Sequence, residues 1–534
     1  MKKWGPLITL SFAMFIIVID TTIMNVSISA LVLDLNTTVT GIQSAISVYA
    51  LVMAAFILIG GKLADIFGKK RVFMVGLVIY GLGTTIASFS TSLPMLIFGW
   101  SFLEGLGGAL MMPNVQVLLK SEYEGADLAF GYGMIGAVGA IGAAVGPIVG
   151  GFFTTYFSWR WAFRTEVLIV LLVLVLSRTL TRDTVVTERP KFDFVGALLS
   201  VFGWSGIVLG ILLAQTYGFF LAKEPFMLGS LAIAPLGLSI SPVLVGLGLL
   251  LIILLIQWET RLEQKQAAGL FRPSIFKAEG ITAGLAVRFL HLALMAAFLY
   301  VFPLLLQLSF DYTAIETGLA LMPYSIGLLA MALLGARLSS RFTARQIIRV
   351  GFGITAVGLL MVGLTIRPES SASDLALGAV LGMGLGLIAS QILNLILSSV
   401  AVEQTAETSG ITGTFEQLGN AIGVALVGTI MLTTLSGVLQ NQIAASTLAP
   451  GVQQELVTAV EQGVQLMSNT QLEQNLVEVG ASPEQIARVT ASYHVARTDA
   501  FRAGIALLIF VALSGFVLAG SLPNRKLVAT EAAP

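Results

Sequence analysis

Long apolar segments, separated by short breaks rich in charged and turn-forming residues, follow one another along most of this chain. Each segment holds about 20 residues or more, which is the length that an α-helix needs to cross the hydrocarbon core of a bilayer. The pattern predicts fourteen spans. They lie near 5–31, 41–65, 71–91, 94–119, 128–157, 160–180, 194–220, 227–257, 281–309, 316–340, 346–366, 375–401, 409–436 and 502–521.

The composition agrees with a membrane protein. Of the 534 residues, 56% are hydrophobic and 11% are charged, whereas soluble domains contain about 25% charged residues. The absence of cysteine excludes disulfides, thiolate metal sites and cysteine nucleophiles, and no basic tract favours nucleic-acid binding. The first apolar run is too long for a cleaved signal peptide and contains Asp20, so we interpret it as an uncleaved first span.

Basic residues fall in every second loop and at the C-terminus. Because Lys and Arg concentrate in cytoplasmic loops, this alternation predicts two cytoplasmic termini and therefore an even number of spans. We expect a multi-pass protein of a bacterial plasma (inner) membrane. The basic residues are Lys62, Lys69, Lys70, Arg71, Arg178, Arg182, Arg189, Lys191, Arg261, Lys265, Arg272, Lys277, Arg337, Arg341, Arg345, Arg349, Arg525 and Lys526.

A weak internal repeat divides the chain into two halves. The segment 61–71, after the second span, has a fainter counterpart at 336–346, after the tenth. Parallel repeats of this kind are typical of transporters built from two helix bundles. We therefore expect a six-helix bundle in 1–190, two inserted spans with cytoplasmic linkers in 191–277, and a second six-helix bundle in 278–534.

One sizeable segment, 437–500, is too polar for the membrane. Within it, Ser482, Pro483 and Glu484 form the pattern of a helix start, with an N-cap, a first-turn proline and a first-turn acid. We expect about two amphipathic helices on the outer side, the last of them continuous with span fourteen. The segment is either a solvated connector or an outer lid that binds a partner.

The fifth span contains an unusual number of glycines, in the run 133–151. Each glycine costs a helix about 1 kcal/mol relative to alanine, so their number indicates close approach of backbones or a bend. Gly142, Gly146 and Gly150 have the spacing that lets membrane helices pack backbone to backbone. Pro147 removes one helix hydrogen bond and favours a bend.

Five segments in order resemble motifs of one family. The run 133–151 resembles the antiporter motif of drug–proton antiporters of the major facilitator superfamily. Segment 61–71 resembles the loop between spans two and three of that superfamily, and 20–26 resembles the first-span motif of its fourteen-span drug antiporters. Segment 158–163 matches the sixth-span opening of this group. The fifth pattern comprises Pro303, Gln307, Gly318, Met322 and Pro323.

The resemblance covers most of the chain and implies an all-α major facilitator fold, with two six-helix bundles and two inserted helices. It also implies secondary active efflux, in which protons move inward as a hydrophobic or amphipathic solute moves out. No cofactor is implied, because the proton gradient supplies the energy. The expected partners are a small amphipathic substrate, protons and membrane lipids, and the chain is expected to work as a monomer without nucleic acid.

Several positions depart from the pattern of the family. Ile66 stands where the loop after span two usually has an arginine. In the fourth span, Ser101 replaces a usual arginine and Glu104 a usual glutamine. Glu166 lies in a stretch of the sixth span that is usually apolar, and Glu416 stands where an arginine is common. Charge changes at cavity positions bear on both the substrate class and the coupling scheme.

Six titratable or charged residues are candidates for side chains deep inside the bilayer. A charged side chain at the bilayer centre costs about 2.5–3.5 kcal/mol, so such residues normally face a cavity. A carboxylate can couple transport to protons if burial or competition with substrate controls its protonation. We therefore predict roles in proton coupling or in the cavity for Asp20, Glu104, Glu166, Arg288, His291 and Glu416.

Structural alternatives exist for these residues. Asp20 acts in protonation or gating, or else bonds to a neighbouring helix. Glu104 either titrates or pairs with Arg288. Arg288 and His291 share one helix face, where they bind an anionic group or tune a carboxylate, or else belong to a buried ion pair that fixes helix register. Near the outer end of span six, Arg160 and Arg164 snorkel to the interface or join Glu166 in an outer gate.

Polar residues form stripes along two spans, and the first-span motif adds one more candidate for the cavity. Asn25 belongs to the first-span motif, Asn420 shares a face with Glu416, and Gln391 and Asn394 share a face of span twelve. These stripes predict a wet cavity wall, with hydrogen bonding between helices as the alternative.

The loop after span two and the glycines of span five predict two gating elements. At the cytoplasmic membrane edge, Asp65 caps or pairs with a neighbouring helix in the outward-open state and releases it in the other state. Topology marking alone would explain the basic residues of this loop but not Asp65 or the glycines. The predicted gating residues are Gly61, Asp65, Gly68, Lys69, Lys70 and Arg71 in this latch, and Gly142, Gly146, Pro147 and Gly150 in the pivot.

Three functions are considered for a chain with these features. The leading hypothesis is a proton-coupled exporter of amphipathic compounds, including cationic ones. The second is an exporter or flippase of a lipid or other endogenous amphiphile, motivated by Arg164, Arg288 and His291. The third is a membrane receptor or enzyme that does not transport. No phosphate-binding loop, metal-ligand cluster or nucleophile–base arrangement is present in the sequence, so an enzyme is not expected.

Overall fold

The computed structural model describes residues 3–181, 191–222, 237–366, 377–400, 404–445, 464–478 and 482–524, together with isolated short pieces between these ranges. Three of the basic residues that mark topology, Arg182, Arg189 and Arg525, lie outside the described residues. So does most of 446–463, in the predicted outer segment.

Long helices carry almost all of the described chain, and we name them in chain order. They are α1 (Gly5–Val26), α2 (Val39–Phe67), α3 (Lys69–Ser88), α4 (Leu93–Glu122), α5 (Gly125–Tyr156), α6 (Arg160–Leu176), α7 (Phe194–Tyr217), α8 (Ile240–Gln264), α9 (Ile281–Ser309), α10 (Ala314–Ala320 and Met322–Leu338), α11 (Ala344–Thr365), α12 (Gly378–Leu397), α13 (Thr405–Ala444) and α14 (Pro483–Leu518). Shorter helices cover Ile28–Asp34, Pro273–Lys277 and Asn469–Glu478.

Thirteen of these helical segments are long and apolar enough to cross a membrane. The predicted sixth span corresponds to α6, which has 17 residues and continues into a 3-10 turn at Ser177–Thr179. This length is at the lower limit of the roughly 17–25 residues that span a bilayer. The prediction of a helical, polytopic membrane protein is confirmed.

The connection between α7 and α8 corrects one predicted boundary. The apolar pattern predicts span eight over 227–257, but α8 begins at Ile240. Phe226–Leu228 and Leu231–Ile233 instead form a two-stranded antiparallel ribbon. Gly237 has a positive φ of 74°, which interrupts helical geometry, and the Ser239 hydroxyl caps the helix by accepting a hydrogen bond from the Ser241 amide at 3.2 Å.

The inserted pair α7–α8 covers a seam between the two halves of the chain. The pair packs closely, since a Cβ on Gly206 would lie 3.0 Å from the Gly248 Cα. Helix α7 also contacts α2 of the first half and α13 of the second. Leu212 shares a small buried core with Ala54 of α2 and Ala421 of α13. The inserted helices therefore contact both halves.

The glycine-rich helix α5 lies at a second seam. On one face it packs against α1, where a Cβ on Gly142 would lie 3.4 Å from Val18 and one on Gly150 would lie 2.7 Å from the Ile23 carbonyl oxygen. Gly146 lies against the Thr22 side chain on the same face. On its other face, the Pro147 carbonyl meets Gly318 of α10. Each side therefore requires small residues for backbone approach.

The last helix continues from the outer segment, as predicted. Helix α14 begins at Pro483 and runs for 36 residues. The Ser482 side chain caps it by accepting a hydrogen bond from the Gln485 amide at 3.3 Å. The buried Arg497 donates to the Met467 carbonyl at 2.9 Å and to the Asn469 side chain at 2.8 Å. These bonds hold the preceding segment against the side of α14.

The contact between α5 and α1 predicts unequal effects for two alanine substitutions in one helix. Gly150→Ala should lower the free energy of unfolding by about 1–3 kcal/mol, because the added methyl group overlaps the Ile23 backbone. Gly136→Ala is the matched control, since an added Cβ there meets nothing within 4 Å, and it should be neutral or stabilising by up to about 1 kcal/mol. Thermal unfolding of purified protein measures both. Equal destabilisation would contradict the packing explanation.

Candidate functional site

Three carboxyl side chains from three helices meet in the first half of the chain. Asp20 on α1, Glu104 on α4 and Glu166 on α6 each place one carboxylate oxygen within 4.8 Å of those of the other two. The three residues are buried, with exposed fractions of 0%, 0% and 2%. Among the described residues, no Lys, Arg or His forms an ion pair with any of them. We name this set the carboxyl cluster.

Aromatic side chains hold the Asp20 carboxylate in place. The Trp100 indole Nε1 donates to both Asp20 oxygens at 3.0 Å. The Tyr49 ring stacks on Trp100 with centroids 5.6 Å apart, and its hydroxyl lies beside the Asp20 carboxyl group. Phe163 meets the edge of Trp100 at 6.2 Å. Asp20 thus forms a hydrogen bond to a neighbouring helix, one of its predicted alternatives, while it also belongs to the cluster.

A local change of helix type positions Glu104. Residues Ile97–Glu104 form a π-helical segment inside α4, and α-helical geometry resumes at Gly105. Segments of this kind are frequent at functional sites, because the wider turn changes the direction of the side chains. Helix α3 approaches closely here, since a Cβ on Gly83 would lie 2.5 Å from the Glu104 amide nitrogen. Ser101, where the family usually has arginine, donates to the Ala45 carbonyl at 2.8 Å.

Neither Glu104 nor Glu166 has an oxygen with a hydrogen-bond partner among the described residues, and all four oxygens are buried. Unpaired buried polar atoms are rare and need an explanation. Their nearest charged neighbours are each other and Asp20. The two glutamates therefore interact mainly within the carboxyl cluster.

The structure does not bring Arg160 and Arg164 into contact with Glu166, because the arginines have other partners. Arg160 pairs with Asp34 at 2.5 Å and donates from Nε to the Ser90 carbonyl at 3.1 Å. Arg164 lies over the Trp161 ring at 5.0 Å. These contacts fit the snorkelling alternative, in which an arginine reaches the membrane interface. Glu166 instead belongs to the carboxyl cluster.

The second half holds a neutralised pair. Arg288 on α9 donates from Nε to Glu416 on α13 at 2.7 Å, and its Nη2 lies 2.6 Å from the same oxygen. The alternative in which Glu104 pairs with Arg288 is therefore wrong. His291 Nε2 lies 3.2 Å from the Leu385 carbonyl, and its Nδ1 lies 3.4 Å from Arg288 Nη1. Because a carbonyl only accepts, the neutral Nε2–H tautomer satisfies both contacts.

The four predicted cavity amides differ in their surroundings. Asn25 donates to the Thr21 carbonyl at 2.8 Å, within its own helix. Gln391 is 2% exposed and donates to the Gly335 carbonyl of α10 at 2.9 Å, so it bonds two helices together. Asn420 donates to the Gln417 side chain at 3.1 Å. Asn394 is exposed on α12.

A cavity lies between the halves at the end of the bundle that carries Lys69, Lys70 and Arg71, which we name the basic end. Its volume is about 370 Å³, and its first-half wall includes Gly61, Asp65 and Lys69. Asp65 is exposed and forms no ion pair with another described residue. Lys70 donates to the Leu180 carbonyl at 2.6 Å. Arg71 is exposed.

Gly68 sets the direction of the chain at this end. Its φ of 101° ends α2, while its amide donates to the Ala64 carbonyl at 3.0 Å. A residue with a Cβ rarely adopts this conformation. Gly68 is therefore required at the turn between α2 and α3.

The segment between α8 and α9, which follows the inserted pair, forms the facing wall of the same cavity through 267–272. Glu259 accepts hydrogen bonds from the Leu270 amide at 3.1 Å with both oxygens. Glu263, one turn later, accepts from the Ser274 amide at 3.1 Å. Arg272 donates from Nε to Glu407 of α13 at 2.9 Å. This segment is therefore tied to α8 and to α13.

At the opposite end of the bundle, direct hydrogen bonds join the two halves. Gln307 of α9 donates to the Val26 carbonyl of α1 at 2.7 Å. The Ile315 amide of α10 donates to the Thr155 hydroxyl of α5 at 3.0 Å. Gln43 of α2 donates to the Val424 carbonyl of α13 at 2.9 Å. The halves are thus in contact at this end, while a cavity separates parts of them at the basic end.

Sequence reasoning missed several residues that shape these sites. Trp100 lies one turn before Glu104, and Tyr49 has no charged residue close to it in the sequence. Both therefore look like ordinary members of an apolar helix, and the sequence does not show that they contact Asp20. Arg272 was expected only to mark topology, and Glu259 was not singled out. A usable signal exists for the cluster, because Asp20, Glu104 and Glu166 all lie in the first-half spans and each lacks a basic residue at helical spacing on its own helix face.

Comparison with known proteins identifies the family. The probable actinorhodin transporter of Streptomyces coelicolor is 29% identical over 456 residues, which cover 83% of this chain and 74% of that protein. The puromycin resistance protein pur8 of Streptomyces alboniger is 27% identical over 493 residues, which cover 88% of this chain and 92% of that protein.

A solved structure agrees at the level of fold. A bacterial homologue of the human lysosomal transporter Spinster, in an inward-facing and occupied conformation, superposes with a TM-score of 0.58 at 12% identity and covers 97% of this chain and 96% of that one. The family model of the Major Facilitator Superfamily matches residues 10–424. The chain is therefore a multi-pass transporter of the bacterial plasma membrane rather than an enzyme, and it belongs to the Major Facilitator Superfamily.

Proposed function

We propose that this chain exports hydrophobic or amphipathic compounds in exchange for protons, and that the carboxyl cluster carries the protons. The observation that supports this most directly is the convergence of Asp20, Glu104 and Glu166, whose oxygens lie within 4.8 Å of one another without a basic partner among the described residues.

Electrostatics connects this geometry to proton exchange. Two unit charges 4 Å apart repel by about 4 kcal/mol even at an effective dielectric constant of 20. Three ionised carboxylates in one buried cluster would therefore be strongly unfavourable, and protons relieve the repulsion. A substrate that brings a positive charge or changes the hydration of the cluster displaces those protons. Each proton that enters along a membrane potential supplies about 2.3 kcal/mol per 100 mV.

The contacts at the two ends support a cycle of alternating access. The halves touch at the end with Val26 and Thr155 and are separated by a cavity at the basic end. By the positive-inside rule the basic end faces the cytoplasm, so this arrangement corresponds to a state that opens inward. Helix α5 then serves as the pivot, because Gly150 and Pro147 contact opposite halves through small surfaces.

The relatives and the site together support one substrate class. The two relatives are named for actinorhodin transport and for puromycin resistance, which favours export of small organic compounds. In the second half, Arg288 is already neutralised by Glu416, whereas no described Lys, Arg or His pairs with the carboxyl cluster. Neutral or cationic amphipathic compounds therefore suit the chain better than anions do.

Lipid export is the second candidate, and one observation favours it. A groove of about 570 Å³ between α1 and α5 is lined almost entirely by apolar side chains, including Trp4, Phe12, Phe15, Phe130 and Met134. Such a groove suits an apolar tail. Transfer of labelled phospholipid between leaflets of proteoliposomes, dependent on a proton gradient and lost in Phe130→Ser, would favour this candidate over export of drugs.

Neutralisation of the carboxyl cluster tests the proposed coupling. Glu104→Gln, Asp20→Asn and Glu166→Gln should each reduce proton-driven transport of ethidium or puromycin in inverted vesicles at least tenfold, because each removes a proton-binding group while retaining the side-chain volume. Glu484→Gln serves as the control, since that side chain is 77% exposed, and it should retain full transport. Undiminished proton-driven transport in all three cluster variants would refute the assignment.

The pair in the second half should matter for stability rather than for coupling. Arg288→Met alone leaves Glu416 without its partner and should cost about 1.5–3 kcal/mol, the range for a hydrogen bond to a charged group. The double variant Arg288→Met with Glu416→Gln should recover most of the lost stability. Its transport activity should still depend on the proton gradient. Thermal unfolding and vesicle transport measure the two effects. Loss of proton dependence in the double variant would instead assign coupling to this pair.

A further inference from the structure

The inserted pair α7–α8 holds two buried carboxyl groups of its own. Asp193 directly precedes α7, and Glu259 lies near the end of α8. Their exposed fractions are 7% and 0%, and the two carboxyl groups are in hydrogen-bonding contact. Both groups point at Gly196, because a Cβ added there would overlap Asp193 and lie 2.7 Å from Glu259 Oε1. The absence of a side chain at Gly196 therefore lets the two groups meet.

The surroundings of Asp193 favour its ionised form. The Gly196 amide donates to Asp193 Oδ1 at 2.9 Å, and the Trp258 indole Nε1 donates to both oxygens at 3.0 and 3.1 Å. Asp193 also caps the N-terminus of α7, where the helix dipole stabilises negative charge. An ionised carboxylate only accepts hydrogen bonds. The contact between the two carboxyl groups therefore needs a proton, and Glu259 carries it.

Glu259 connects this pair to the cavity at the basic end. Both its oxygens lie 3.1 Å from the Leu270 amide, which donates to them. A side chain on Gly269 would overlap the Glu259 carboxyl group, so the backbone of this segment lies directly against it. Glu259 and 267–272 both line the cavity. A displacement of Glu259 would therefore move part of the cavity wall.

The other charged groups around the pair leave its charge balance unchanged. Among the described residues, no Lys, Arg or His forms an ion pair with Asp193 or Glu259. Lys191, which precedes α7, is exposed. The charged residues that share the cavity wall with Glu259 are Lys62, Asp65, Lys69, Glu263, Arg272 and Glu407. Glu263 accepts the Ser274 amide at 3.1 Å, and Arg272 pairs with Glu407 at 2.9 Å. A proton therefore takes the place of a basic partner between Asp193 and Glu259.

We propose that Asp193 and Glu259 share one proton and form a pH-sensitive switch in the inserted pair, which responds to the cytoplasm through the cavity at the basic end. While the proton is held, it joins the two carboxyl groups. When it leaves, two adjacent carboxylates repel, and Glu259 moves away from the start of α7 together with the Leu270 amide that it holds. The cavity wall shifts, and transport falls as cytoplasmic pH rises. This inference goes beyond the proposed function, because the switch does not need the carboxyl cluster.

A distance between two spin labels tests the switch without transport, because the chain contains no cysteine to compete for labelling. The labels are attached at Phe194→Cys, a position that is 71% exposed, and at the exposed Ala267→Cys. In the purified full chain, their distance should lengthen by roughly 2 Å or more from mildly acidic to alkaline pH, the scale of helix shifts in switching transitions. With Glu259→Gln the distance should stay constant, since the amide donates to Asp193 at every pH. Glu263→Gln is the matched control and should lengthen like the native chain.

Asp193→Asn is a second variant that separates repulsion from a local folding defect. Asparagine caps helices about as well as aspartate does, and the substitution removes one of the two charges. The distance between the labels should again be independent of pH. Lengthening that persists in Glu259→Gln or in Asp193→Asn would overturn the switch, as would a constant distance in the native chain.

Transport measurements connect the switch to function. Ethidium transport in inverted vesicles is followed while the pH on the cytoplasmic face is raised from neutral to alkaline values and the pH difference across the membrane is held constant. Glu259→Gln should retain at least three times more of its neutral-pH activity than the native chain does, and Glu263→Gln should follow the native curve. Identical curves for Glu259→Gln and the native chain would overturn control of transport by this pair. The Glu104→Gln variant should keep the pH-dependent distance, so a failure of the proton-coupling proposal and a failure of the switch are observed separately.

Discussion

The burial of three carboxyl groups in one place, without a countercharge from any described residue, is the constraint on which the rest of the first half depends. Asp20, Glu104 and Glu166 come from three helices, so their proximity is fixed by helix packing and not by a local loop. The energetic cost of this arrangement is too large to arise without compensation. Trp100 satisfies both Asp20 oxygens, while the glutamates are left without hydrogen-bond partners among the described residues. The cluster is thereby suited to exchange protons.

Several features of the backbone follow from this constraint. The π-helical segment Ile97–Glu104 directs Glu104 and Trp100 toward α1, at the expense of regular α-helical bonding. Gly83 and Gly107 allow α3 to approach this part of α4, since a Cβ at either would lie 2.5 Å from a backbone nitrogen of the other helix. Close packing around an irregular segment compensates for its weaker hydrogen bonds. The π-helical segment therefore places Glu104 in the carboxyl cluster, and the close packing of α3 on α4 keeps that segment in place.

The two halves use charge differently, and this difference suits a transporter. The first half holds the carboxyl cluster, with which no described Lys, Arg or His forms an ion pair, and the second half holds Arg288 neutralised by Glu416 and contacted by His291. The two halves meet at two seams. At one seam, small residues of α5 pack against α10. At the other seam, α7 packs against both halves. Surfaces of this kind slide or rock at low cost, because few strong bonds must break. Conformational change can then be controlled by a small number of polar contacts at the two ends.

Apolar periodicity predicted most of the helices because bilayer thickness fixes their length. The same signal fails where an apolar stretch does not become helix, as at Phe226–Leu228, where Gly237 and Ser239 determine the start of α8. For the site, the sequence predicted that Asp20, Glu104 and Glu166 matter, because charges inside spans are costly. It could not predict that Arg288 pairs with Glu416 instead of Glu104, since pairing depends on how nonadjacent helices are rotated. It also could not predict the π segment, which tertiary packing imposes.

The central claim is that the carboxyl cluster is a shared proton-binding site. Infrared difference spectroscopy of the purified chain during a pH titration tests it most directly, because the carbonyl stretch of a protonated carboxyl group disappears when the proton leaves. We predict a loss of this signal in the native chain as pH rises through the working range. The loss should be clearly smaller in Glu104→Gln and Glu166→Gln and unchanged in Glu416→Gln. An identical signal in the native chain and in both cluster variants would contradict the claim.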